Sequence, residues 1–213
     1  MKTKSIIYRT LAAESEEDKR LVYNLRYRAY TDCSAIEPNT EQLFYDVYDM
    51  QHNCQSYLIL KKGNPIGSIR ECIYLPSRKE YNEIPLFHVF KDVVEEQIGL
   101  DKKLIEVNRF IILPEYQKKE YLPKIELFKQ IFRSAINFDI SHILVCVREE
   151  HKNFYCKTML FQQLSDSRPY PGLKFRTVML SLDFKNNYNL YKNDKNNPMF
   201  HSLSILVDKI VYD

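Results

Sequence analysis

Residues Ile105 to Leu127 read IEVNRFIILPEYQKKEYLPKIEL. An apolar run carrying Glu106 and Arg109 meets a proline-flanked polar turn and then the start of an amphipathic helix, which predicts a strand–turn–helix junction. Such a junction gathers backbone N–H groups without intrahelical partners at the positive end of a helix dipole, so it suits an anionic or carbonyl-bearing ligand. The helix is predicted from Pro123 to about Phe138, with Ile125, Phe128, Phe132, Ala135 and Ile136 as its buried stripe.

Working outward, the 213 residues fit one domain that would bury about 70% of the unfolded chain's surface. The composition is 45% hydrophobic and 28% charged, as in globular chains, with only 4 glycines beside 16 tyrosines and 12 phenylalanines. The net charge of +3 comes from lysines interleaved with acids, which excludes the electrostatic footprint of a nucleic-acid binder. The five cysteines, at 33, 54, 72, 146 and 156, include no C-x-x-C pair and no zinc-type spacing, so they read as reduced thiols and no metal site is expected. No signal-peptide core and no apolar stretch long enough to span a bilayer is present, which implies a cytoplasmic protein; secretion without a cleaved signal would leave no such trace.

N-terminal to the junction, a strand over Ser5–Thr10 leads to Ser15 with Asp18 three residues on, an N-cap signature for a helix running to about Tyr30. Arg26 and Arg28 near its end would complement the dipole or serve a site. Thr31–Tyr48 reads as a loop with a short helical turn, containing Phe44-Tyr45-Asp46-Val47-Tyr48-Asp49. A hairpin follows, Gln55–Lys61 and Pro65–Tyr74, and then a helix whose apolar side carries Leu86, Phe87, Phe90, Val93 and Val94 and whose C-cap is Gly99. Beyond the junction come a buried strand His142–Val147, a helix Asn153–Gln163, a strand Lys174–Asp183, a polar linker from Lys185, and an amphipathic helix Pro198–Tyr212. The order β-α-β-β-α-β-α-β-α-β predicts an α/β (α+β) domain with a mixed sheet over residues 1–184, followed by a 185–213 appendage.

Four motifs on this element string resemble the GNAT superfamily of N-acyltransferases, in particular the branch of acyl-homoserine lactone (autoinducer) synthases and FeeM-like N-acyl amino acid synthases. Arg26 and Tyr30 match an Arg and an aromatic four residues apart at the end of the first helix. Asp46-Val47-Tyr48-Asp49 matches D-x-Y-D, Gly67-Ser68-Ile69-Arg70 matches G-x-x-R, and Glu106-Val107-Asn108-Arg109-Phe110 matches E-x-x-R-F. The matches cover roughly residues 20–180. The resemblance implies a GNAT-like fold with a mixed central sheet flanked by helices, no bound cofactor, and an acyl carrier protein thioester, or acyl-CoA, as the donor to a small amine. It also implies substrate contacts from Arg26, Tyr30, Asp46, Asp49, Arg70, Arg109 and Phe110.

Three departures stand out. The turn Gln117-Lys118-Lys119-Glu120-Tyr121-Leu122 lacks the glycines that let backbone amides wrap a pyrophosphate in acetyl-CoA enzymes. That absence suits a carrier-protein donor, and Lys118, Lys119 and Lys124 would then meet the carrier's acidic surface, or else be ordinary solvated lysines. The chain also has no Trp, and Phe44 stands where the branch often has an acid.

Acyl transfer from a thioester to an amine needs a neutral amine, a polarised carbonyl and a proton carrier for the thiolate. Glu106, on an otherwise apolar strand, would have its pKa raised by burial and act as base. Backbone N–H groups near Leu113 and Pro114 would stabilise the oxyanion, and Arg109 and Arg70 would grip an acceptor carboxylate. The alternative is a Glu–Arg pair that satisfies itself. Asp46 and Asp49 would hold the amine or order the loop through the arginines, Arg26 above all; Asx-turn chemistry is the alternative. Tyr155 sits where GNAT enzymes often protonate the departing thiolate, against an alternative of aromatic packing. The competing class is a non-enzymatic binding module on a degenerate GNAT scaffold. An open cleft near Arg109 and Val145 separates the classes, because a filled one would favour the module.

Overall fold

The computed structural model describes residues 8–117 and 121–187. The expected helix Pro198–Tyr212, most of the polar linker, the start of the first strand, and Lys118 and Lys119 lie outside the described residues. In chain order the elements are β1 (Tyr8–Ala12), α1 (Glu16–Asp32), β2 (Cys54–Lys61), β3 (Asn64–Tyr74), α2 (Phe87–Gln97), β4 (Leu104–Ile112), α3 (Pro114–Gln117), α4 (Leu122–Asn137), β5 (His142–Val147), α5 (Lys152–Met159), β6 (Gln162–Gln163), β7 (Arg168–Pro169) and β8 (Arg176–Asp183). A 3-10 turn, Val47–Met50, stands in the long loop after α1.

The strands run in the order β1-β2-β3-β4-β5-β8-β6, with β7 also on β8. Every pairing is antiparallel except β4 with β5. Local chemistry sets the helix limits. Ser15 accepts the Asp18 N–H at 3.1 Å, with Glu16, Glu17 and Asp18 in the first turn of α1, and Pro123 sits at the tolerated N-terminal position of α4. Alternating residues of the sheet build two layers. Ile69, Ile105, Ile143 and Leu180 pack with Phe128 and Phe132 of α4, whereas Cys72, Leu144 and Met179 pack with Phe87, Phe90 and Val94 of α2. Leu58 joins α1 through Val22, and Ile111 and Leu113 join it through Leu25.

Two local expectations need correction. The helix predicted over Asn153–Gln163 ends at Met159, because Leu160 adopts a left-handed backbone (φ 58°) and Gln162–Gln163 then pairs with Ser181–Leu180. The polar turn after β4 begins with the short helix α3, which the proline at its first position favours.

One buried group gives this fold a pH signature. Glu71 is 2% exposed on the α4 face; its Oε1 accepts from Tyr57 at 2.9 Å and Ser134 at 2.7 Å, while Oε2 has no partner. Burial raises its pKa to about 7, against the hydrogen bonds from Ser134 and Tyr57 that lower it. Because the folded pKa lies above the unfolded one, Glu71's stabilising contribution is complete below pH 4.5 and is lost as pH rises through about 7. Glu71→Gln, which mimics the protonated form, is expected to remove a stability loss of about 2–3 kcal/mol between pH 5 and pH 8. Thermal midpoints measured across that range for both proteins check this.

Candidate active site

The site begins with an irregularity in β4. Its register against β3 passes from Asn108↔Arg70 to Ile111↔Ser68, so Arg109 and Phe110 oppose a single residue of β3. Arg109 takes a left-handed backbone (φ 52°), costly for a side chain of its size. The bulge changes which face each residue meets. Asn108 and Arg109, consecutive in sequence, both reach the face covered by α1 and α2, while Phe110 packs on Phe128 of α4 with ring centroids 5.1 Å apart. Close approach of β3 is part of the same device: a Cβ on Gly67 would lie 2.6 Å from the carbonyl oxygen of Ile111.

β4 and β5 remain paired from Leu104–His142 to Val107–Val145 and no further, although both strands continue. The splay leaves a cavity of about 550 Å³, within the range of small-molecule sites. Tyr30, Arg109, Phe110, Val147, Tyr155 and Tyr170 are among its walls. The cleft near Arg109 and Val145 is therefore open.

Beside the cavity lies a charge clamp of three arginines and two aspartates. Asp49, whose side chain is 2% exposed, binds Arg26 at 2.8 Å and Arg70 at 2.9 Å. Asp46 binds Arg70 at 2.7 and 3.0 Å and Arg109 at 2.8 Å. The two aspartates also cap the turn reciprocally, since Asp46 accepts the Tyr48 N–H and Asp49 accepts the Asp46 N–H, each at 3.0 Å. Burial pushes both carboxyls up, but the facing guanidiniums outweigh it and hold both below the ordinary carboxylate range. Ordering of the loop through the arginines and turn capping thus coexist. Arg26, fully buried, also meets Ser56 at 2.7 Å.

Arg109 and Glu106 are not paired with each other. Arg109 instead lies 4.6 Å over the ring of Phe44 and 5.8 Å from that of Tyr30. Phe44 was legible only as a departure from the family pattern, yet it forms one side of this aromatic seat. Glu106 is fully buried; its Oε2 accepts the Leu86 N–H at 2.7 Å, and its Oε1 accepts from Asn108 at 2.9 Å and from Tyr170 at 3.4 Å. Burial raises its pKa, opposed by Asn108, by the Leu86 N–H and by the charges of Arg70 and Arg109. Asn108 in turn accepts from Arg70 Nε at 2.8 Å, so Arg70, 1% exposed, directs its guanidinium to Asn108, Asp46 and Asp49.

Tyr155 is 6% exposed in an aromatic cluster with Phe128, Phe154 and Phe161 and also lines the cavity; burial raises its pKa. Lys124 lines the cavity as well, 5.5 Å over Phe154, and burial lowers its pKa. One sequence-based assignment fails on geometry. Leu113 donates its N–H to the Ile66 carbonyl at 2.9 Å and Pro114 has none, so neither supplies an oxyanion donor. Asn108 and Tyr170 were missed. Asn108 occupies a variable position of E-x-x-R-F, and Tyr170 belongs to a Pro-Tyr-Pro-Gly turn legible only as a turn. Among the described residues, no cluster of His, Cys, Asp and Glu could hold a metal ion, and no helix is long and apolar enough to cross a membrane.

Solved structures of known proteins share this fold. FeeM, an N-acyl amino acid synthase from uncultured soil microbes, superposes with a TM-score of 0.69 at 12% identity, covering 84% of this chain and 92% of its own. The acyl-homoserine lactone synthase LasI gives 0.65 at 15% identity over 88% and 96% of the two chains. The CoA-dependent acyl-homoserine lactone synthase BjaI gives 0.61 at 12% identity over 97% and 90%. At these identities the structures establish the GNAT-like acyltransferase fold. No curated protein sequence matches the chain. The sequence model of the N-acyl amino acid synthase FeeM family matches residues 21–183. That match takes in every strand that walls the cavity, and the chain accordingly belongs to the N-acyl amino acid synthase FeeM family and is an acyltransferase.

Proposed function

We propose that the protein transfers a medium or long fatty acyl group from an acyl carrier protein thioester to the amine of an amino acid. The observation that carries this reading is the open cavity where β4 leaves β5, with the Glu106 network behind its wall and apolar side chains such as Phe110, Val147 and Phe154 along it. Glu106 takes the amine proton as base. Backbone N–H groups on the unpaired edge of β4 past Val107 stabilise the oxyanion. Arg109 grips the acceptor's carboxylate. Phe44 supports that role, because an aromatic seat leaves the arginine more of its charge than an acid there would.

Arg26, Arg70, Asp46 and Asp49 hold this constellation in place, and Tyr30 shapes the acceptor's side of it. Lys124 stands at the cavity, and with Lys118 and Lys119 it meets the acidic surface of the carrier. The glycine-free turn after β4 supports a carrier protein over CoA. Acyl-homoserine lactone formation is the near alternative, supported by the likeness of the LasI and BjaI folds.

Incubation with acyl chains of several lengths on acyl carrier protein or on CoA, plus a panel of amino acids and S-adenosylmethionine, tests the reading. N-acyl amino acids formed faster from the carrier thioester are expected; lactone products, or acetyl-CoA as the preferred donor, would refute it. Tyr155, a neutral phenol at the cavity wall, returns a proton to the leaving thiolate. Tyr155→Phe is expected to lower kcat about tenfold with KM values unchanged, measured by thiol release.

A further inference from the structure

Glu106 has no face on the cavity. Its side chain is fully buried, and it is absent from the cavity wall that Asn108, Arg109 and Tyr170 share. Of its three polar contacts, the Leu86 N–H lies in the protein interior and the Asn108 amide donates without readily passing a proton on. The third is the Tyr170 hydroxyl, 3.4 Å from Oε1, and a hydroxyl can donate one proton while accepting another.

The chain holds that hydroxyl in place. Tyr170 follows β7, which pairs Arg168 with Thr177 and Pro169 with Arg176, and its carbonyl accepts the Leu173 N–H at 3.2 Å in a turn where Gly172 has φ +75°. Arg168 forms a bidentate pair with Asp92 of α2 at 2.7 and 2.8 Å and donates to the Val89 carbonyl at 2.7 Å. The turn is thereby tied to the same helix whose N-terminal Leu86 N–H holds Glu106. Burial raises the phenol's pKa, so it stays protonated while the base beside it ionises.

We propose that Tyr170 is the proton relay between the reacting amine and Glu106. The assignment rests on the acyl-transfer reading above. As the amine nitrogen bonds to the thioester carbon, its N–H proton passes to the Tyr170 oxygen while the Tyr170 proton passes to the Glu106 carboxylate. The C–S bond then breaks, the electron pair leaves on sulfur, and the thiolate takes up a proton. The sum is amine plus thioester giving amide plus thiol: Tyr170 leaves the exchange as a neutral phenol, and Glu106 is restored as a carboxylate when it releases the proton it received, offsetting the one taken up by the thiolate.

The test uses the full-length protein with acyl carrier protein bearing a medium-length saturated chain and a mixture of the standard amino acids. Tyr170→Phe is expected to lower kcat for amide formation at least about tenfold while both KM values stay within about twofold and the thermal midpoint is unchanged. Because the two groups act in one chain, Tyr170→Phe combined with Glu106→Gln is expected to be no slower than Glu106→Gln alone. Wild-type kcat in Tyr170→Phe, or losses that multiply in the double variant, would overturn the relay and leave acyl transfer standing. Failure of the wild-type protein to form amide from any donor would overturn acyl transfer itself and the relay with it.

Discussion

Glu106→Gln is expected to fold and to lose about 100-fold in the rate of amide formation, the range set by removing a positioned general base. The substitution keeps the shape of a side chain that is fully buried, and it removes a charge whose desolvation is unfavourable. The amide oxygen still accepts from the donors of one carboxylate oxygen, either the Leu86 N–H or Asn108 with Tyr170, so the structural cost is a hydrogen bond rather than a cavity. What it cannot do is take a proton. In the wild type the carboxylate is the active form and burial raises its pKa, so the rate climbs with pH through an ionisation above the ordinary carboxylate range. That limb should be missing from the Glu106→Gln profile. Equal rates in the two proteins would remove Glu106 from the mechanism.

Asp49→Ala is expected to be the most destabilising single change in the clamp, at about 3–5 kcal/mol, because it strands a buried guanidinium. Arg26 is fully buried and would retain the Ser56 hydrogen bond and the Tyr23 ring but no carboxylate, whereas Arg70 would keep Asp46 and Asn108. For a chain of this size the midpoint of thermal unfolding should fall by about 10 °C. The same change also uncaps the turn, since Asp49 accepts the Asp46 N–H, and thereby loosens the carboxylate that holds Arg109. Adding Arg26→Met to Asp49→Ala removes the stranded charge and is expected to recover part of the stability but not the activity. A loss below about 1 kcal/mol in the single variant would mean that the clamp does not hold the fold.

Much of this was legible in sequence because the information is local. Periodicity placed α1, α2, α4 and the strands β2 to β5, and the spacing of E-x-x-R-F put Glu106 and Arg109 on one central strand. The partners of those residues were harder to read. Asp46 and Arg109 are 63 positions apart, and Tyr170 and Glu106 are 64, so only the sheet topology brings them together. The bulge had no signal of its own. Arg109 carries the backbone conformation that glycine favours, and nothing in NRF announces it. The two-residue strands β6 and β7 are likewise products of pairing with β8 rather than of their own composition. Arg70 was read as a ligand for the acceptor; in the fold its nitrogens meet Asn108, Asp46 and Asp49, an arrangement that depends on the loop closing over β3.

Acyl transfer as proposed here requires that thiol release and amide formation be coupled and pass through Glu106. Mixing an acyl-loaded carrier protein with enzyme and amino acids in a single turnover, and following free thiol and N-acyl product together by mass, measures this directly. One amide for each thiol released is expected in the wild type, with both signals slowed together in Glu106→Gln. Thiol released with free fatty acid in place of amide, or amide formed at the wild-type rate by Glu106→Gln, would contradict it.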